Sequence, residues 1–371
     1  MITRWISENE CTGCGVCISA CEQSAIHIRQ DNKGFYVPIV DDNCIECERC
    51  KKVCESRFNN QKKENKDYPK VFASWSIDEN IRFISTSGGV VSELSKAILM
   101  KNGYVVGAVY GDNCFVYHDI INDIGDISRI QQSKYVQSFC DSIYEKTKKL
   151  LEKGFYVLFC GTPCQIAALK AYLSGEEYPF LFTLDFICMG VNSPLAYKLW
   201  LSGLEGQFNK RVVNVWFKYK EKGWRSSPFV TKIRFDDGEE LVLEKEKNDY
   251  MRGFVDLKLF LRNSCSSCSF KGEKRISDFT VGDFWGIVCE NDLDLGISML
   301  MINNEKAETL LDEIKDNIYL ERKTIEDVRR GNRHFEKSVI TSRYEELFYS
   351  IIKEHPFNEA IKMIEELNYS K

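Results

Sequence analysis

The sequence predicts a small α+β domain at the N-terminus, then an α/β domain with a mixed sheet, then a helical C-terminal region. Two observations predict this class. Eight of the sixteen cysteines lie within the first 54 residues. From Val71 onward, apolar segments of strand length alternate with segments of helical period, as in α/β domains. The polar, charged run between the two regions has the composition of a linker. The expected boundaries are 1–58 for the first domain, 59–70 for the linker, 71–303 for the second domain and 304–371 for the helical region.

The N-terminal cysteines repeat one motif. C-x2-C-x2-C-x3-C occurs twice, and its spacing is that of bacterial-type ferredoxins with two [4Fe–4S] clusters. In such domains the fourth cysteine of each run ligates the other cluster. The sequence therefore predicts a ferredoxin-like domain with two ligand sets. Cluster I is expected on Cys11, Cys14, Cys17 and Cys54, and cluster II on Cys44, Cys47, Cys50 and Cys21.

Disulfides and zinc are the alternative uses of such a segment. Disulfides need an oxidising compartment, and nothing in the sequence indicates export. Zinc sites usually pair two C-x2-C units and have no use for two runs of four cysteines. Glu22 and Glu55 stand where a proline usually follows each run, which removes no ligand. Iron–sulfur clusters remain the prediction.

Composition and charge further restrict the kind of protein that this chain can be. The chain has 371 residues, 44% hydrophobic and 28% charged, as in ordinary globular proteins. Its net charge of -5 argues against a general nucleic-acid binder. Residues 1–5 carry no apolar signal segment, and the longest apolar runs, 155–160 and 179–191, are too short to span a membrane. We expect a cytoplasmic protein with reduced cysteines that serve metals.

The apolar pattern predicts the elements that follow the linker. The run 155–160 is apolar throughout, as a strand covered on both faces should be. A final helix from Pro356 places Phe357, Ala360, Ile361, Ile364 and Leu367 on one face. Strands are expected at 71–75, 104–110, 155–160, 180–187, 212–220, 229–235, 240–243, 278–283 and 297–302, and helices at 89–100, 141–153, 164–173 and 194–204.

A second set of cysteines indicates a third site. Cys164 follows Thr162 and Pro163, which suit the N-cap and first position of a helix, so its thiolate is favoured by the helix terminus. Cys188 follows a predicted strand at the end where α/β sheets place ligands, and Cys265 and Cys268 form a C-x2-C pair. The spacing leaves open a cluster, a zinc site or inert buried cysteines. Cys114, Cys140, Cys160 and Cys289 are expected to be small core residues.

Several motifs in this region resemble one family. They are Thr86-Ser87-Gly88-Gly89, Ser133-Lys134-Tyr135-Val136-Gln137-Ser138, Gly161-Thr162-Pro163-Cys164-Gln165, Cys188, Cys265-x2-Cys268 and the run 277–286. The region from Val71 to about Asn303 resembles the beta subunits of coenzyme F420 hydrogenases and dehydrogenases. With the ferredoxin in front, the layout is similar to the electron-input subunit of F420H2 dehydrogenases, and to ferredoxin-fused bacterial relatives, some beside polysaccharide-synthesis genes.

The resemblance implies FAD and one [4Fe–4S] cluster in the large domain, with Cys164, Cys188, Cys265 and Cys268 as its ligands. It places the flavin near Ser87, Gly88, Gly89, Lys134, Tyr135, Gln137, Ser138, Gly161, Thr162 and Asp283. The residues themselves also allow simpler roles. Ser87-Gly88-Gly89 could be an ordinary helix-entry turn, Lys134 and Tyr135 surface residues, and Asp283 a strand-end turn former. The basic residues Lys218, Lys220, Lys222 and Arg225, with Trp216 and Trp224, could dock an anionic substrate or an acidic redox partner, or form a solvated hairpin edge.

The functional hypothesis is an electron-transfer flavoprotein enzyme. FAD would exchange a hydride with reduced F420 or act on a small organic substrate, and three [4Fe–4S] clusters would carry single electrons to or from a partner. The partner would be ferredoxin or a larger dehydrogenase or reductase complex. The alternatives are a ferredoxin-dependent reductase linked to polysaccharide synthesis, a non-catalytic wiring subunit without flavin, and a zinc-bearing scaffold. The four histidines are scattered, which gives little support to a histidine-based hydrolase.

Overall fold

The computed structural model describes residues 5–59, 67–290 and 292–369. Most of the linker predicted at 59–70 therefore lies outside the described residues. The strands are β1 Ile26–Gln30, β2 Tyr36–Val40, β3 Lys70–Ser76, β4 Tyr104–Tyr110, β5 Val116–Ile121, β6 Val157–Cys160, β7 Leu181–Phe186, β8 Val212–Phe217, β9 Thr231–Phe235, β10 Glu240–Leu243, β11 Phe279–Asp283, β12 Ser298–Ile302 and β13 Ile318–Lys323. The helices are α1 Val16–Ser19, α2 Arg49–Asn59, α3 Glu79–Ile84, α4 Val90–Met100, α5 Ile127–Ile130, α6 Ile143–Glu152, α7 Pro163–Tyr172, α8 Pro194–Phe208, α9 Asp249–Met251, α10 Glu305–Ile314, α11 Ile325–Gly331, α12 Glu345–Ile351 and α13 Phe357–Tyr369.

Over residues 5–59, the N-terminal domain consists of an antiparallel hairpin and two helices, as the predicted α+β class requires. In the hairpin, β1 pairs with β2 from Ile26 opposite Val40 to Gln30 opposite Tyr36. The connecting turn contains Gly34 at φ +82, and a Cβ there would lie 2.2 Å from Leu195 Cβ. Glycine is thus required both for the backbone conformation and for the approach of this turn to α8.

The main sheet is mixed, which confirms the predicted class. Among the described residues, eight strands form it in the order β13-β3-β12-β11-β7-β6-β4-β5. The neighbours β4, β6, β7 and β11 run parallel, and the other pairs are antiparallel. Val157, Leu158 and Phe159 of β6 are fully buried, because helices cover both faces of a sheet with parallel central strands. The carboxyl ends of β4, β6, β7 and β11 lie at one edge of the sheet, here named the carboxyl edge.

A second, smaller sheet packs with the C-terminal helices. Its order is β10-β9-β8, all antiparallel, as the hairpin pattern predicts. Val215 of β8, Ile233 of β9 and Trp200 of α8 share a core with Phe357 and Ile361 of α13. The C-terminal region, expected to be mostly helical, also supplies the strand β13, which pairs with β3 at the edge of the main sheet.

The N-terminal domain packs directly against the α/β domain. Val16 of α1 is buried in one core with Ile143 of α6 and Phe159 of β6. Tyr144 donates its hydroxyl hydrogen to the carbonyl of Cys14 at 2.7 Å. These contacts place the N-terminal cysteines beside α6 and α7. In the part of the chain that the structure describes, no helix is both long and apolar enough to cross a membrane.

Candidate functional site

The four cysteines predicted for cluster I surround one small cavity. Cys11, Cys14, Cys17 and Cys54 line it together with Thr12, Val16, Pro38 and Arg57. Burial raises the pKa of Cys17 well above its usual range, and the neighbouring sulfurs of Cys14, Cys11 and Cys54 raise it further. Cys54 reaches the cavity from α2, whereas the other three come from the loop before α1 and from α1 itself. The structure thus brings together the set that the ferredoxin spacing predicts.

Two glycines allow this loop to approach the large domain. Gly13 has φ +65, and a Cβ there would lie 2.2 Å from Gln137 Nε2. Gly15 has φ +80, and a Cβ there would lie 2.4 Å from the carbonyl oxygen of Cys140. Both positions combine a left-handed backbone with backbone or side-chain atoms of the second domain at close range. The loop that carries Cys14 is therefore shaped by that contact.

The cysteines predicted for cluster II lie nearer the surface. Cys44 and Cys47 are exposed, and Cys21 and Cys50 are partly buried. Burial raises the pKa of Cys50, and the sulfurs of Cys21 and Cys47 add to the rise. Cys50 and Cys54 both belong to α2, so this one helix connects the two predicted cluster positions.

The third cysteine group, Cys164, Cys188, Cys265 and Cys268, assembles at the carboxyl edge. Burial raises the pKa of Cys164 to about 12; the Thr162 hydroxyl opposes the rise, while Cys14, Cys268 and Cys265 add to it. Burial likewise raises the pKa of Cys188, and the largest electrostatic contribution comes from Cys265. Burial of Cys164 thus opposes the thiolate form that the start of α7 is expected to favour.

Local structure explains why Cys164 lies where it does. Thr162 and Gln165 form a capping box at the start of α7, with Gln165 Oε1 accepting from the Thr162 N–H at 2.8 Å. Pro163 occupies the first turn, as predicted. The Thr162 hydroxyl lies 3.0 Å from Cys164 Sγ, so the cap also contacts the sulfur.

A site for a single metal ion would need its ligands closer together than a cluster does. Among the described residues, no three His, Cys, Asp or Glu side chains converge closely enough to hold one ion. A cubane cluster binds each cysteine at a separate iron corner. Its four ligands therefore stand further apart than those around a single ion.

The Ser87-Gly88-Gly89 turn lies against the start of β12, which is at the carboxyl edge because Ser298 pairs with Asp283 at the end of β11. The Gly88 N–H donates to Ser298 Oγ at 2.9 Å, and Ser87 Oγ donates to the Ile297 carbonyl at 2.7 Å. A Cβ on Gly88 would meet the Ser74 carbonyl oxygen at 2.4 Å. Close packing on β3 thus explains this glycine without a ligand. Gly89 is left-handed, at φ +87, and precedes α4.

Lys134 and Tyr135 are half-buried rather than surface residues. Lys134 Nζ donates to the carbonyls of Gln131 at 2.7 Å and Arg129 at 3.1 Å, and burial lowers the Lys134 pKa to about 7. The Tyr135 ring packs edge-on against Phe217. The ammonium of Lys134 therefore already has protein acceptors.

This segment adjoins the turn that contains Ser87. The hydroxyls of Ser133 and Thr86 lie 3.0 Å apart, and the amide of Gln131 donates to the Ser92 hydroxyl at 3.0 Å. The structure thus brings two of the motifs of the predicted flavin site next to each other.

A buried cage encloses Lys218 beside Asp283, the last residue of β11. Lys218 Nζ forms an ion pair with Asp283 Oδ2 and lies 4.5 Å from the ring centre of Trp285 and 5.3 Å from those of Trp224 and Phe229. Asp283 Oδ1 and Trp224 Nε1 are buried without a hydrogen-bond partner in the described part of the chain. Such unpaired polar atoms are rare in folded proteins and indicate a place where a ligand could bond.

The other basic residues of this region differ in exposure. Lys220 is buried, and its Nζ donates to three backbone carbonyls, those of Arg82, Ser87 and Leu295, at 2.6–2.7 Å. The solvated hairpin edge is therefore a wrong interpretation for Lys218 and Lys220, since the loop after β8 folds inward. It holds for Lys222, which is exposed and pairs with Glu244 at 2.6 Å.

The remaining predicted flavin residues lie beside the cysteines. Gln137 accepts from the Tyr36 N–H at 3.0 Å and donates to the Gly13 carbonyl at 3.3 Å, so its amide serves the domain interface. Ser138 Oγ lies 2.9 Å from His118 Nδ1. The Gly161 N–H donates to the carbonyl of Leu184 on β7 at 3.0 Å. With Thr162 at Cys164, these four residues surround the cysteine groups rather than line the cage.

Cys140 has polar contacts that its sequence context does not indicate. It lies in the core, as expected, but its sulfur accepts from Gln165 Nε2 at 3.0 Å and lies 3.3 Å from His118 Nδ1. Cys114 and Cys289 are buried core residues, and Cys160 is partly buried.

Two arginines at cluster I are absent from the sequence-based prediction. Arg57 lies one helical turn after Cys54, a spacing that could have signalled its contact with the sulfur of Cys54. Arg262 comes from the turn before Cys265 and donates to the Cys11 carbonyl at 2.7 Å. No sequence spacing could have predicted this contact, since it joins positions 251 residues apart.

Two family models match parts of the chain. Residues 156–328 match the family model for the C-terminal part of the beta subunit in coenzyme F420 hydrogenase/dehydrogenase, and residues 10–58 match that for a 4Fe-4S dicluster domain. No curated protein matches the chain. Among solved structures, it is similar to a chain of the xenon-derivatised F420-reducing [NiFe] hydrogenase complex from Methanosarcina barkeri, with 18% identity, a TM-score of 0.46, and coverage of 82% of this chain and 95% of that one. The resemblance predicted from the motifs is confirmed by these two family-model matches, which cover residues 10–58 and 156–328.

Proposed function

We propose that this chain is an iron–sulfur flavoprotein oxidoreductase that passes electrons between a hydride donor or small organic substrate and a one-electron protein partner. The observation that carries the proposal is the succession of three four-cysteine groups. The third group lies at the carboxyl edge, the cluster I cysteines lie beside it, and the cluster II cysteines reach the surface.

The contacts between the groups support this order. Cys14 of cluster I adds to the pKa rise of Cys164 in the third group, so the two sulfurs are electrostatic neighbours. Cys50 and Cys54 lie on the same helix and belong to clusters II and I. Cys44 and Cys47 are exposed. Electrons that enter at the carboxyl edge would therefore leave through the surface near Cys44 and Cys47.

The residues present fit the iron–sulfur clusters. Four cysteines line the cluster I cavity, and four more meet at the carboxyl edge. Thiols whose pKa is raised by burial stay protonated at neutral pH without metal, so cluster assembly would release these protons. Arg57 and Arg262 bring positive charge to the sulfurs of cluster I.

The carboxyl edge offers a place for FAD. When bound, FAD supplies the exchange between a two-electron donor and one-electron carriers. Asp283 Oδ1 and Trp224 Nε1, buried and unpaired among the described residues, could bond to its polar groups. The Ser87 turn lies beside them, since Lys220 binds the Ser87 carbonyl and interacts electrostatically with Asp283. Reduced F420 is the donor that the family suggests, and ferredoxin or a larger redox complex is the partner at the exposed cysteines.

A wiring subunit without flavin is the second candidate. Specific contacts favour it: the Lys134 amine has protein acceptors, and packing on Ser74 accounts for Gly88. Both features of the predicted flavin site therefore have explanations within the protein itself.

Metal content tests the cluster assignment. Anaerobically purified protein should contain about twelve iron atoms per chain, the total for three four-iron clusters. The double variant C265S/C268S should lose about four of them. The matched control is C289S, which replaces a buried cysteine outside the three groups and should keep them all. Equal iron in C265S/C268S and the control would reject the third cluster, and zinc in place of iron would reject all three.

Flavin absorbance separates the two candidate functions. After incubation with FAD and gel filtration, a retained flavin band supports the flavoprotein, and its absence supports the wiring subunit. Anaerobic stopped-flow mixing with reduced F420, NADH and reduced ferredoxin in turn then identifies the donor by flavin bleaching. Bleaching by none of the three would contradict the proposed reaction.

A further inference from the structure

The guanidinium of Arg57 is buried against the sulfurs of cluster I. The residue is 3% exposed. Its Nη1 lies 3.3 Å from Cys14 Sγ and its Nη2 lies 3.2 Å from Cys54 Sγ. Donation from Nε to the Cys54 carbonyl at 3.0 Å and from Nη1 to the Thr12 hydroxyl at 2.7 Å fixes its orientation. The fork of N–H groups is therefore held on two ligands of one predicted cluster.

No carboxylate in the described part of the chain pairs with this guanidinium. A buried cation without a counter-charge costs several kcal/mol. The negative charge that balances Arg57 must therefore come from cysteine sulfur, which is anionic when it ligates iron.

We propose that Arg57 sets the reduction potential of cluster I and makes this cluster the preferred electron acceptor beside the third cysteine group. Reduction adds one electron, and hence one negative charge, to a cluster whose sulfurs already accept the Arg57 hydrogen bonds. Hydrogen bonds and positive charge at the sulfurs stabilise the reduced form and raise the potential. The effect is large here because burial lowers the local dielectric constant.

Cluster II has no comparable cation among the described residues. Arg49 at the start of α2 is the nearest analogue along the same helix, but its side chain is 53% exposed and it pairs with Glu22. Water and the glutamate screen its charge. Cys44 and Cys47 are themselves exposed. The two clusters of the N-terminal domain therefore differ in potential, because the guanidinium of Arg57 lies 3.2–3.3 Å from two sulfurs of cluster I and that of Arg262 lies 3.6 Å from a third.

This inference rests on the clusters of the proposed function and is independent of the flavin and of the hydride donor. The test uses the full-length protein, purified anaerobically, with R57Q, R57K and R49Q as variants. Iron content is measured first. Redox titration followed by electron paramagnetic resonance then gives the potential of each cluster.

In R57Q, the equilibrium constant for one reduction step should fall at least tenfold. For a one-electron step, this corresponds to a fall of about 59 mV in reduction potential. The other steps should move less than threefold, and R57K should fall between wild type and R57Q because it keeps the charge but loses the fork. R49Q should shift every step by less than threefold.

Each outcome decides the inference. Unchanged steps in an R57Q protein with wild-type iron content overturn it, as does an equal shift in R49Q. If R57Q loses iron, the test depends on R57K. A downward shift in the potential of one reduction step in R57K supports the inference. Wild-type potentials or loss of iron in R57K overturn it. Iron absent from the wild-type protein would reject the proposed function itself, whereas unchanged potentials reject only the role of Arg57.

Discussion

Removal of the Asp283 carboxylate should destabilise the protein more than removal of the lysine that it pairs with. The Lys218 side chain is 1% exposed, whereas that of Asp283 is 17% exposed. In the variant D283A, the ammonium of Lys218 stays enclosed by the three aromatic rings and loses its counter-ion. In K218M, the remaining carboxylate can still be reached by water, and methionine fills an apolar cage well.

The burial of Lys218 and Asp283 sets the size of the expected losses in unfolding free energy. A buried pair broken by removal of one partner costs about 3–5 kcal/mol, and the cation–π contacts of Lys218 with the rings are present before and after the substitution, so they do not change this cost. D283A should therefore lose about 3–5 kcal/mol of unfolding free energy. K218M should lose about 1 kcal/mol, within the range for well-filled substitutions.

The loss in D283A should shrink as pH rises. Burial lowers the Lys218 pKa and Asp283 opposes that fall, so the variant has a Lys218 pKa lower still. The unfolded chain holds this proton up to a pH of about 10.4. Between the lowered folded pKa and that value, the unfolded state binds more protons, and stability therefore rises with pH.

Urea denaturation under anaerobic conditions at pH 7 and pH 9 measures both effects. The double variant K218M/D283A should regain part of the loss, because it leaves no buried charge. K222M removes a lysine from an exposed pair with Glu244 and should leave the free energy of unfolding at the wild-type value. A larger loss in K218M than in D283A, or a loss in D283A that grows with pH, would refute this reasoning.

Three further predictions concern other parts of the fold. Burial lowers the pKa of His118 to about 4, so unfolding takes up a proton between pH 6.5 and 4. Over this pH range the wild type should lose up to about 3 kcal/mol of stability that H118Q does not lose. Parallel curves of stability against pH for the two proteins in urea titrations would contradict this prediction. G34A should lower the free energy of unfolding by about 2 kcal/mol or more, because Gly34 has φ +82 and the new Cβ would lie 2.2 Å from Leu195. The control G238A, with φ +89 and no atom within 4 Å of its new Cβ, should cost only the backbone strain of about 1 kcal/mol. Equal losses in thermal or urea unfolding would argue against the contact with Leu195. T324A removes the capping box of α11 and should cost about 1 kcal/mol, measurable by the same titration and absent in T324S.

Much of the fold could be predicted because its signals are local. The apolar run at 155–160 corresponds to β6 at Val157–Cys160, and the strand expected at 104–110 is β4, Tyr104–Tyr110. The helix predicted at 194–204 extends to Phe208, since Asn209 in the left-handed conformation ends it. The strand β13 was harder to predict, because an edge strand alternates only weakly and follows directly after a helix.

The candidate site could be predicted only where ligands follow a spacing rule. The ferredoxin motif predicts both cysteine sets of the N-terminal domain, and Cys188, which is expected at the carboxyl edge, lies close enough to Cys164 for their sulfurs to interact electrostatically. The roles of Lys218 and Arg57 depend on their burial. Burial could not be predicted for them, because both are charged residues within polar stretches of the sequence. Gln137 was predicted at the flavin, yet its amide joins the two domains, because a motif shows that a residue matters without showing which partner it contacts.

The difference in exposure between the cysteine groups has a consequence for handling the protein. Cys44 and Cys47 face solvent, whereas Cys11, Cys14 and Cys54 are enclosed. Chelators and dissolved oxygen reach the outer sulfurs first, so damage should proceed from the surface inward. If the proposed clusters are present, air-exposed samples would keep cluster I and lose cluster II, and would then be coloured but unable to exchange electrons with a protein partner.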